Sequence, residues 1–291
     1  MTTMRPRRSV LYMPGSNARA LEKARGLPAD ALILDLEDAV APDAKDVARK
    51  QVCEAVKARG FGKREVIVRI NALTTPWGEN DLAAVAEAQP DAILVPKIST
   101  PADLNAVEAG LVRYHHLRKM SVWAMVETPV AILNIAAIAA AGGRLACFVM
   151  GTNDLIKEIR GQHTADRANL SAALGLSVLA ARANGLAVID GVYNDIADAA
   201  GFTASCEQAR AFGFDGKTLI HPSQVEPCNT VFAPSAEEVA TARQLIAAFE
   251  LPENKGKGAI KVDGRMVELL HAQIARGTVA MADAIAELER A

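Results

Sequence analysis

Short apolar runs alternate along the chain with segments whose apolar residues recur at helical spacing. Eight of these runs are nearly continuous in apolar residues, which is typical of strands that are covered on both faces. The runs are SVLYMP (9–14), ALILDLED (31–38), EVIVRIN (65–71), DAILVPK (91–97), SVWAMVE (121–127), LACFVMG (145–151), LAVIDGV (186–192) and KTLIHP (217–222). Alanine-rich helical patterns such as 81–89 and 170–185 lie between them. Strands that alternate with helices in this way predict a (β/α)8 barrel.

The alternation ends after residue 228, and a different pattern follows. The segment 233–250 begins with Ser235 and Glu238, which have the spacing of a capping box. A capping box satisfies backbone N–H groups at the first turn of a helix. The sequence therefore predicts that a helix starts at this point.

Residues 251–264 are rich in Gly and Lys and predict a mobile segment. Helical spacing returns over 265–277 and again over 279–290. We therefore predict two domains: a barrel over 1–232 and a smaller C-terminal helical segment over 233–291.

Composition narrows the class of protein. Of 291 residues, 51% are hydrophobic and 23% charged, which suits a large core, and the net charge of −2 disfavours nucleic acid as a partner. No apolar run approaches the ~18 residues of a membrane span, and the basic start lacks a signal-peptide core. The four cysteines have no CxxC spacing, which indicates reduced thiols. We expect a soluble, cytoplasmic protein without a membrane or nucleic-acid partner.

Polar side chains stand at the carboxyl ends of the apolar runs. They are Ser16, Asn17, Asp35, Glu37, Asp38, Arg69, Asn71, Lys97, Glu127, Asn153, Asp154, Asp190, Asn194 and His221. In a parallel barrel these ends meet on one face, here called the mouth, where active sites of such barrels lie. Capping of the next helix is the better explanation for Asn17 and Thr152. The acids and cations of the full set predict a site at the mouth.

Glu127 and Asp154 follow consecutive predicted strands, the fifth and the sixth. Carboxylates on neighbouring strand ends can reach one point above the barrel. Oxygen-only ligands suit Mg²⁺, whereas two bare carboxylates would repel each other and raise one pKa. The residues alone leave two alternatives open, a Mg²⁺ site or a catalytic acid pair without metal. Zinc is disfavoured because no HxH or HExxH spacing is present.

Three acids stand within four residues of the second run, namely Asp35, Glu37 and Asp38. We expect at least one of them to be structural and to pair with a cation such as Lys45 or Arg49. Glu37 and Asp38 are interpreted as residues that hold metal-bound water and orient a cation.

Arg69 ends the third run, and Lys97 ends the fourth. The planar guanidinium of Arg69 suits a substrate carboxylate or an enolate oxygen. It could equally pair with the acids of the second strand, and both alternatives stay open. Lys97 could serve the same group of charges.

Seven motifs occur in a fixed order along the chain: RSVLYMPGSN, LDLEDAV, VRIN, VPK, ETP, GTNDL and IHPSQV. With them, and with VDGRMVE near the C-terminus, the sequence resembles the citrate lyase β-subunit-like proteins of the HpcH/HpaI aldolase superfamily. The resemblance covers nearly the whole chain. It implies a (β/α)8 TIM barrel with a C-terminal helical lid.

The resemblance also implies roles for residues of the mouth. Glu127 and Asp154 match the Mg²⁺ ligands of the family. Arg69 matches the arginine that binds the substrate and stabilises an enolate. Glu37 and Asp38 match the acids that surround the metal-bound waters.

Outside the mouth, the resemblance implies that Asp263 is a catalytic acid carried on the lid. In relatives this lid closes over a neighbouring subunit, so we expect a homotrimer or a hexamer. Arg8 and Lys23 are expected to bind the phosphates of coenzyme A.

The reaction that the resemblance implies is Mg²⁺-dependent cleavage of a carbon–carbon bond. A β-hydroxyacyl-CoA such as malyl-CoA, β-methylmalyl-CoA or citramalyl-CoA would give a small α-keto acid and an acyl-CoA. Two alternatives are kept: a citrate lyase β subunit that acts on an acyl-carrier protein within a larger complex, and a malyl-CoA thioesterase.

Overall fold

The structure is a computed structural model that describes residues 4–114, 120–262 and 264–290. The chain forms two compact units. One unit comprises Arg7–Phe232, and the other contains residues 4–6 and 233–290.

Eight parallel strands close into a barrel in the first unit, each paired with its neighbours in chain order and the last paired with the first. They are β1 (Ser9–Pro14), β2 (Ala31–Asp35), β3 (Glu65–Arg69), β4 (Ala92–Val95), β5 (Ser121–Val126), β6 (Leu145–Met150), β7 (Ala187–Asp190) and β8 (Gly216–Leu219). The prediction of a (β/α)8 barrel is confirmed.

Helices follow the strands and surround the barrel. They are α1 (Ala18–Ala24), α2 (Lys45–Ala58), α3 (Gly78–Ala88), α4 (Pro101–Leu111), α5 (Pro129–Leu133), α6 (Ile135–Ala140), α7 (Thr152–Glu158), α8 (Ser171–Ala183), α9 (Ala199–Phe212) and α10 (Val225–Phe232). Since the helices run back along the barrel, the strand-to-helix loops all lie at the mouth.

The barrel separates the core into two apolar layers, because successive side chains of a strand point to opposite faces. On β2, Ile33 points into the barrel, whereas Leu32 and Leu34 pack against the surrounding helices. Trp123 of β5 is fully buried inside the barrel, and the guanidinium of Arg7 lies 5.2 Å from its ring centroid. This filled interior closes the barrel below the mouth.

Several strands end earlier than the apolar runs predict. After Asp35 the chain turns, because the N–H of Glu37 donates to Asp35 Oδ1 over 2.9 Å. The N–H of Leu36 still donates to the carbonyl of Arg69 at 2.9 Å. Glu37 and Asp38 therefore belong to a turn at the mouth, and the strict alternation of a strand does not decide where their side chains point.

The second unit contains α11 (Ala236–Glu250), a two-stranded antiparallel sheet of β9 (Ala259–Val262) and β10 (Arg265–Glu268), and α12 (Leu269–Glu289). Ser235 and Glu238 form the predicted capping box at the start of α11, with donor–acceptor distances of 3.1 and 2.6 Å.

The structure differs from the expectations for this unit at three points. Part of the segment predicted to be mobile forms β9, and the first residues of the helix predicted over 265–277 form β10. The two helices predicted after residue 264 are one, since α12 continues through Gly277, a residue that a helix tolerates at a cost of about 1 kcal/mol. Phe249, Ile260 and Ala272 form the small buried core of this unit. Over residues 4–114, 120–262 and 264–290, no helix is long and apolar enough to cross a membrane.

Candidate active site

A cavity of about 330 Å³ opens at the mouth of the barrel. Its polar lining includes Tyr12, Asp35, Asp38, Arg69, Asn153, Asp154 and Asn194, and its apolar lining includes Met125, Met150, Val192 and Ile220. The residues come from strands and loops that are far apart in sequence. The closed parallel barrel brings them together, as the sequence predicts for a set of polar strand ends.

Arg69 is the central cation of the mouth, and Asp35 fixes its orientation. Two of its nitrogens, Nε and Nη2, each donate to Asp35 over 2.6 Å, and the guanidinium lies 4.8 Å from the ring centroid of Tyr12. Only 8% of the Arg69 side chain is exposed. This bidentate pair leaves Nη1 as the nitrogen that faces the other acids of the mouth.

Glu37 and Asp38 both contact this remaining nitrogen. Arg69 Nη1 lies 2.8 Å from Glu37 Oε2 and 3.3 Å from Asp38 Oδ2. Glu37 Oε2 is buried, and within the described residues it accepts no hydrogen bond of normal geometry. The mouth therefore contains a buried carboxylate oxygen whose hydrogen-bonding capacity is unused.

Burial raises the pKa of Glu37 to about 8. Desolvation is the main cause, and the charge of Arg69 opposes it only in part because the carboxylates of Asp38, Glu127 and Asp35 also disfavour ionisation of Glu37. Glu37 is consequently protonated for the most part at neutral pH.

Glu127 and Asp154 contact the same ammonium group. Lys97 Nζ lies 2.7 Å from Asp154 Oδ1 and 3.5 Å from Glu127 Oε1, and the N–H of Lys97 donates to Glu127 Oε1 over 2.7 Å. Glu127 is 2% exposed, and burial raises its pKa although Lys97 acts in the opposite direction. Two carboxylates from neighbouring strand ends thus share one cation.

Gly151 makes this arrangement sterically possible. A Cβ atom on Gly151 would lie 2.4 Å from Glu127 Cβ and 2.6 Å from Glu127 Oε2, and both distances are too short for non-bonded atoms. Gly151 is also the N-cap residue of α7, so Asp154 falls in the first turn of that helix. The motif GTND therefore places one carboxylate and leaves room for the other.

The residues of the mouth fit a divalent metal ion such as Mg²⁺. Glu127 and Asp154 offer only carboxylate oxygens and already surround one positive charge. Among the described residues, no group of three or more His, Cys, Asp and Glu side chains is arranged to hold a metal. Mg²⁺ accepts such a sparse site, because it commonly uses one or two carboxylates and completes its shell with water and substrate.

Two predicted phosphate ligands are not brought to the mouth. Arg8 directly precedes β1 at the opposite end of the barrel, is 4% exposed and donates through Nε and Nη2 to Asp30, both over 2.9 Å. Asp30 thus accepts from two of the three guanidinium nitrogens of Arg8, and the contact of Arg8 with coenzyme A stays a prediction. Lys23 is exposed in the last turn of α1, away from the helix end that faces the mouth. The contact of Lys23 with a phosphate stays a prediction.

Asp263, the catalytic acid that the resemblance implies, lies outside the described residues, and its role also stays a prediction.

Asp190 was expected at the mouth but lies on the outer side of the barrel. Its carboxylate is fully buried and accepts from Lys217 Nζ over 2.6 Å and from Arg167 Nη1 over 2.7 Å. On the same strand Val188 packs in the outer apolar layer, so Asp190, two residues later, also points outward.

At least one of the three acids in the second apolar run was expected to pair with a cation such as Lys45 or Arg49. Asp35 is the acid that forms such a pair, and its partner is Arg69. Lys45, one of the two expected partners, instead donates to the carbonyls of Leu36 and Glu37 over 2.8 and 2.7 Å. The sequence interpretation also missed Tyr12, whose ring lies beside Arg69. An aromatic residue close to the carboxyl end of β1 is the signal that could have indicated it.

The fold and the mouth define a class: a (β/α)8 barrel whose active-site face carries paired carboxylates and a fixed arginine. A model of the HpcH/HpaI aldolase/citrate lyase family matches residues 8–222, and the chain belongs to this family.

Relatives within this family have different named activities. A (3S)-malyl-CoA thioesterase of Cereibacter sphaeroides is 54% identical over 281 residues, 97% of this chain and 96% of the relative. An L-malyl-CoA/beta-methylmalyl-CoA lyase of the same species is 33% identical over 97% of this chain and 96% of its own length. The structure of CitE from Mycobacterium tuberculosis in complex with magnesium, acetoacetate and coenzyme A superposes with a TM-score of 0.78, at 30% identity, covering 96% of this chain and 98% of that one.

Replacing Gly151 by Ala should displace Glu127 and impair the site more than the fold. A misplacement of about 1 Å at a catalytic group can cost about 100-fold in rate, so we expect a loss of that order in kcat/KM. Gly175→Ala is the matched control, because a Cβ there meets only Phe212 at 4.0 Å. Steady-state kinetics and thermal unfolding of both variants check this, and wild-type activity of Gly151→Ala would contradict it.

Replacing Glu37 by Gln should remove a pH dependence of stability. The pKa of Glu37 is about 8 in the folded protein against an ordinary value of 4.5, so the folded state keeps a proton that the unfolded chain releases between these values. Wild-type stability therefore falls as pH rises through this window, by at most about 1.4 kcal/mol per pH unit, and levels off above it.

Urea unfolding from about pH 5 to about pH 9 in the presence of a chelator measures this difference. The Glu37→Gln variant, which stays neutral, should lack this part of the decline. Glu79→Gln, at an exposed position of α3, is the control and should keep the wild-type profile. Parallel profiles for wild type and Glu37→Gln would show that Glu37 has an ordinary pKa.

Proposed function

We propose that this protein hydrolyses the thioester of a 3-hydroxyacyl-CoA whose acyl group carries a carboxylate, with (3S)-malyl-CoA as the expected substrate. The observation that carries the proposal is the placement of Glu127 and Asp154 on one cation next to the fixed guanidinium of Arg69. The sequence identity of 54% to a (3S)-malyl-CoA thioesterase over nearly the whole chain supports hydrolysis as the reaction.

Glu127 and Asp154 would hold Mg²⁺, consistent with the magnesium in the similar CitE structure. The metal supplies a Lewis acid and a template for the oxygens of the substrate. Glu127 is buried and held by the backbone N–H of Lys97, so it presents its carboxylate in a defined position. Asp154 is more exposed, with 31% of its side chain accessible, and faces the cavity.

Arg69 stabilises the negative charge that develops on the substrate. Water adds through its oxygen to the thioester carbonyl carbon and releases a proton, and the carbonyl oxygen becomes an anion. The C=O bond then re-forms as the C–S bond breaks, so that the acyl group is left as a carboxylic acid and the sulfur takes up a proton and leaves as the thiol of coenzyme A. Arg69 Nη1 faces the mouth, whereas Nε and Nη2 are held by Asp35. A donor that is oriented before the reaction needs no reorganisation when charge develops.

Protonated Glu37 preserves the positive charge of Arg69 for the substrate. An ionised Glu37 at 2.8 Å would neutralise Nη1, but the raised pKa of about 8 keeps Glu37 largely neutral at pH 7. The guanidinium is then balanced mainly by Asp35. This arrangement lets one arginine be fixed by a carboxylate and still attract a developing anion.

Carbon–carbon cleavage, which was the main expectation from the motifs, is the second candidate. It is supported by the 33% identical malyl-CoA lyase, whereas the thioesterase is 54% identical over the same share of the chain. Both reactions need a carboxylate-bearing acyl-CoA at the mouth, and only their products differ. The comparisons favour hydrolysis.

Incubation with (3S)-malyl-CoA and Mg²⁺, followed by chromatographic identification of all products, tests the proposal. We expect malate and free coenzyme A, loss of turnover in Glu127→Gln, and little hydrolysis of acetyl-CoA, which lacks the second carboxylate. The appearance of glyoxylate and acetyl-CoA as the main products would refute hydrolysis in favour of cleavage.

Replacing Arg69 by Lys should lower kcat by about 100- to 1000-fold, because a lysine cannot be fixed by Asp35 through two nitrogens while a third nitrogen faces the substrate. Arg49→Lys is the matched control, since Arg49 also forms an ion pair with a buried aspartate, Asp81, and is not among the residues that line the cavity. A rise in KM with unchanged kcat would instead identify Arg69 as a residue that only binds the ground state.

A further inference from the structure

Lys97 occupies the position at which a metal ion would contact Glu127 and Asp154. Its ammonium nitrogen lies 2.7 Å from Asp154 Oδ1 and 3.5 Å from Glu127 Oε1. Both oxygens belong to the residues that would hold Mg²⁺. At Mg–oxygen distances of about 2.0–2.1 Å, the metal and this ammonium group cannot share the same oxygens at the same position.

The backbone of Lys97 has a left-handed conformation, which the ion pairs of its side chain do not by themselves require. Its φ angle is +58°, in the left-handed region that residues other than glycine avoid. Two other described residues with positive φ, Arg59 and Gln89, are helix C-caps, where this conformation is common. Lys97 instead lies in the loop that follows β4, after Pro96, and its N–H reaches Glu127 Oε1 over 2.7 Å.

The lysine side chain can leave the site. About 38% of it is exposed, in contrast to Glu127, of which 2% is exposed. The contacts of Nζ are to the two carboxylates, while the contact of the backbone N–H to Glu127 is independent of where the side chain lies. Rotation of the side chain into solvent would therefore leave the carboxylate of Glu127 in place.

We propose that Lys97 is a displaceable internal cation that neutralises Glu127 and Asp154 in the metal-free protein and lowers the affinity of the site for the metal. The proposal rests on the metal assignment of the proposed function, but not on which bond of the substrate is broken. Without a cation the two carboxylates would repel each other, so the lysine stabilises the metal-free form. Metal binding must then overcome the lysine–carboxylate attraction.

Replacement of Lys97 by Met tests this, because Met keeps the length and the backbone N–H and removes the charge. We expect Lys97→Met to bind Mg²⁺ on the order of tenfold more tightly than wild type, as measured by isothermal titration calorimetry without substrate. Its thermal stability should be lower than that of wild type in a chelator and should rise more on addition of Mg²⁺, since the stabilisation that a ligand gives increases with its affinity for the folded protein.

Three control variants separate displacement from other effects. Lys157→Met removes a positive charge from α7, three residues from Asp154, and should leave Mg²⁺ binding close to that of wild type if the general electrostatic field is not the cause. Lys97→Arg keeps the cation and should show no gain in affinity. Asp154→Asn should abolish binding in both the wild-type and the Lys97→Met background.

Equal or weaker Mg²⁺ binding by Lys97→Met would overturn the proposal, and weaker binding would show that the lysine supports the metal site. An equal gain in Lys157→Met would also overturn it. Failure of the proposed reaction is recognised separately: tighter binding by Lys97→Met, together with glyoxylate as the product from malyl-CoA, would refute hydrolysis while the role of Lys97 stands.

Discussion

The concentration of carboxyl groups at one end of the barrel is the constraint on which the site depends. Asp35, Glu37, Asp38, Glu127 and Asp154 meet two cations there, Arg69 and Lys97. Acids gathered in partly buried surroundings repel one another, so each needs a cation, a proton or a metal. Asp35 takes Arg69, Glu37 is largely protonated at neutral pH, and Glu127 and Asp154 share Lys97. These arrangements leave Arg69 Nη1 and the carboxylates of Glu127 and Asp154 as the groups that a ligand could contact.

The barrel and the general position of the site could be predicted, because both follow from simple periodicity. Strands covered on both faces are continuous in apolar residues, and parallel strands place their polar ends on one face. Glu127 and Asp154 follow neighbouring strands, and the structure brings them onto one ammonium group. The start of α11 was also predictable, since a capping box is a local feature.

Other features of the site could not be predicted from the sequence, because each depends on the position of one residue in a strand, on the choice of one ion-pair partner or on one backbone dihedral angle. Asp190 was expected at the mouth but points to the outer layer, because a shift of one position along a strand reverses the direction of a side chain. Asp35 pairs with Arg69 across neighbouring strands, a contact that spacing in the sequence does not distinguish from one with Lys45. The left-handed conformation of Lys97 has no sequence signal, since glycine is the residue expected there.

The mouth suits both hydrolysis and carbon–carbon cleavage for one physical reason. Both reactions build negative charge on the thioester oxygen, so the same fixed guanidinium of Arg69 can stabilise either one. They differ in the group that loses a proton: water in hydrolysis, or the substrate hydroxyl in cleavage. The choice therefore depends on whether a water molecule can approach the thioester carbonyl while the acyl group is bound. Under the proposed function, Arg69 and the carboxylate pair would set the class of substrate, and the access of water to the cavity would set the product.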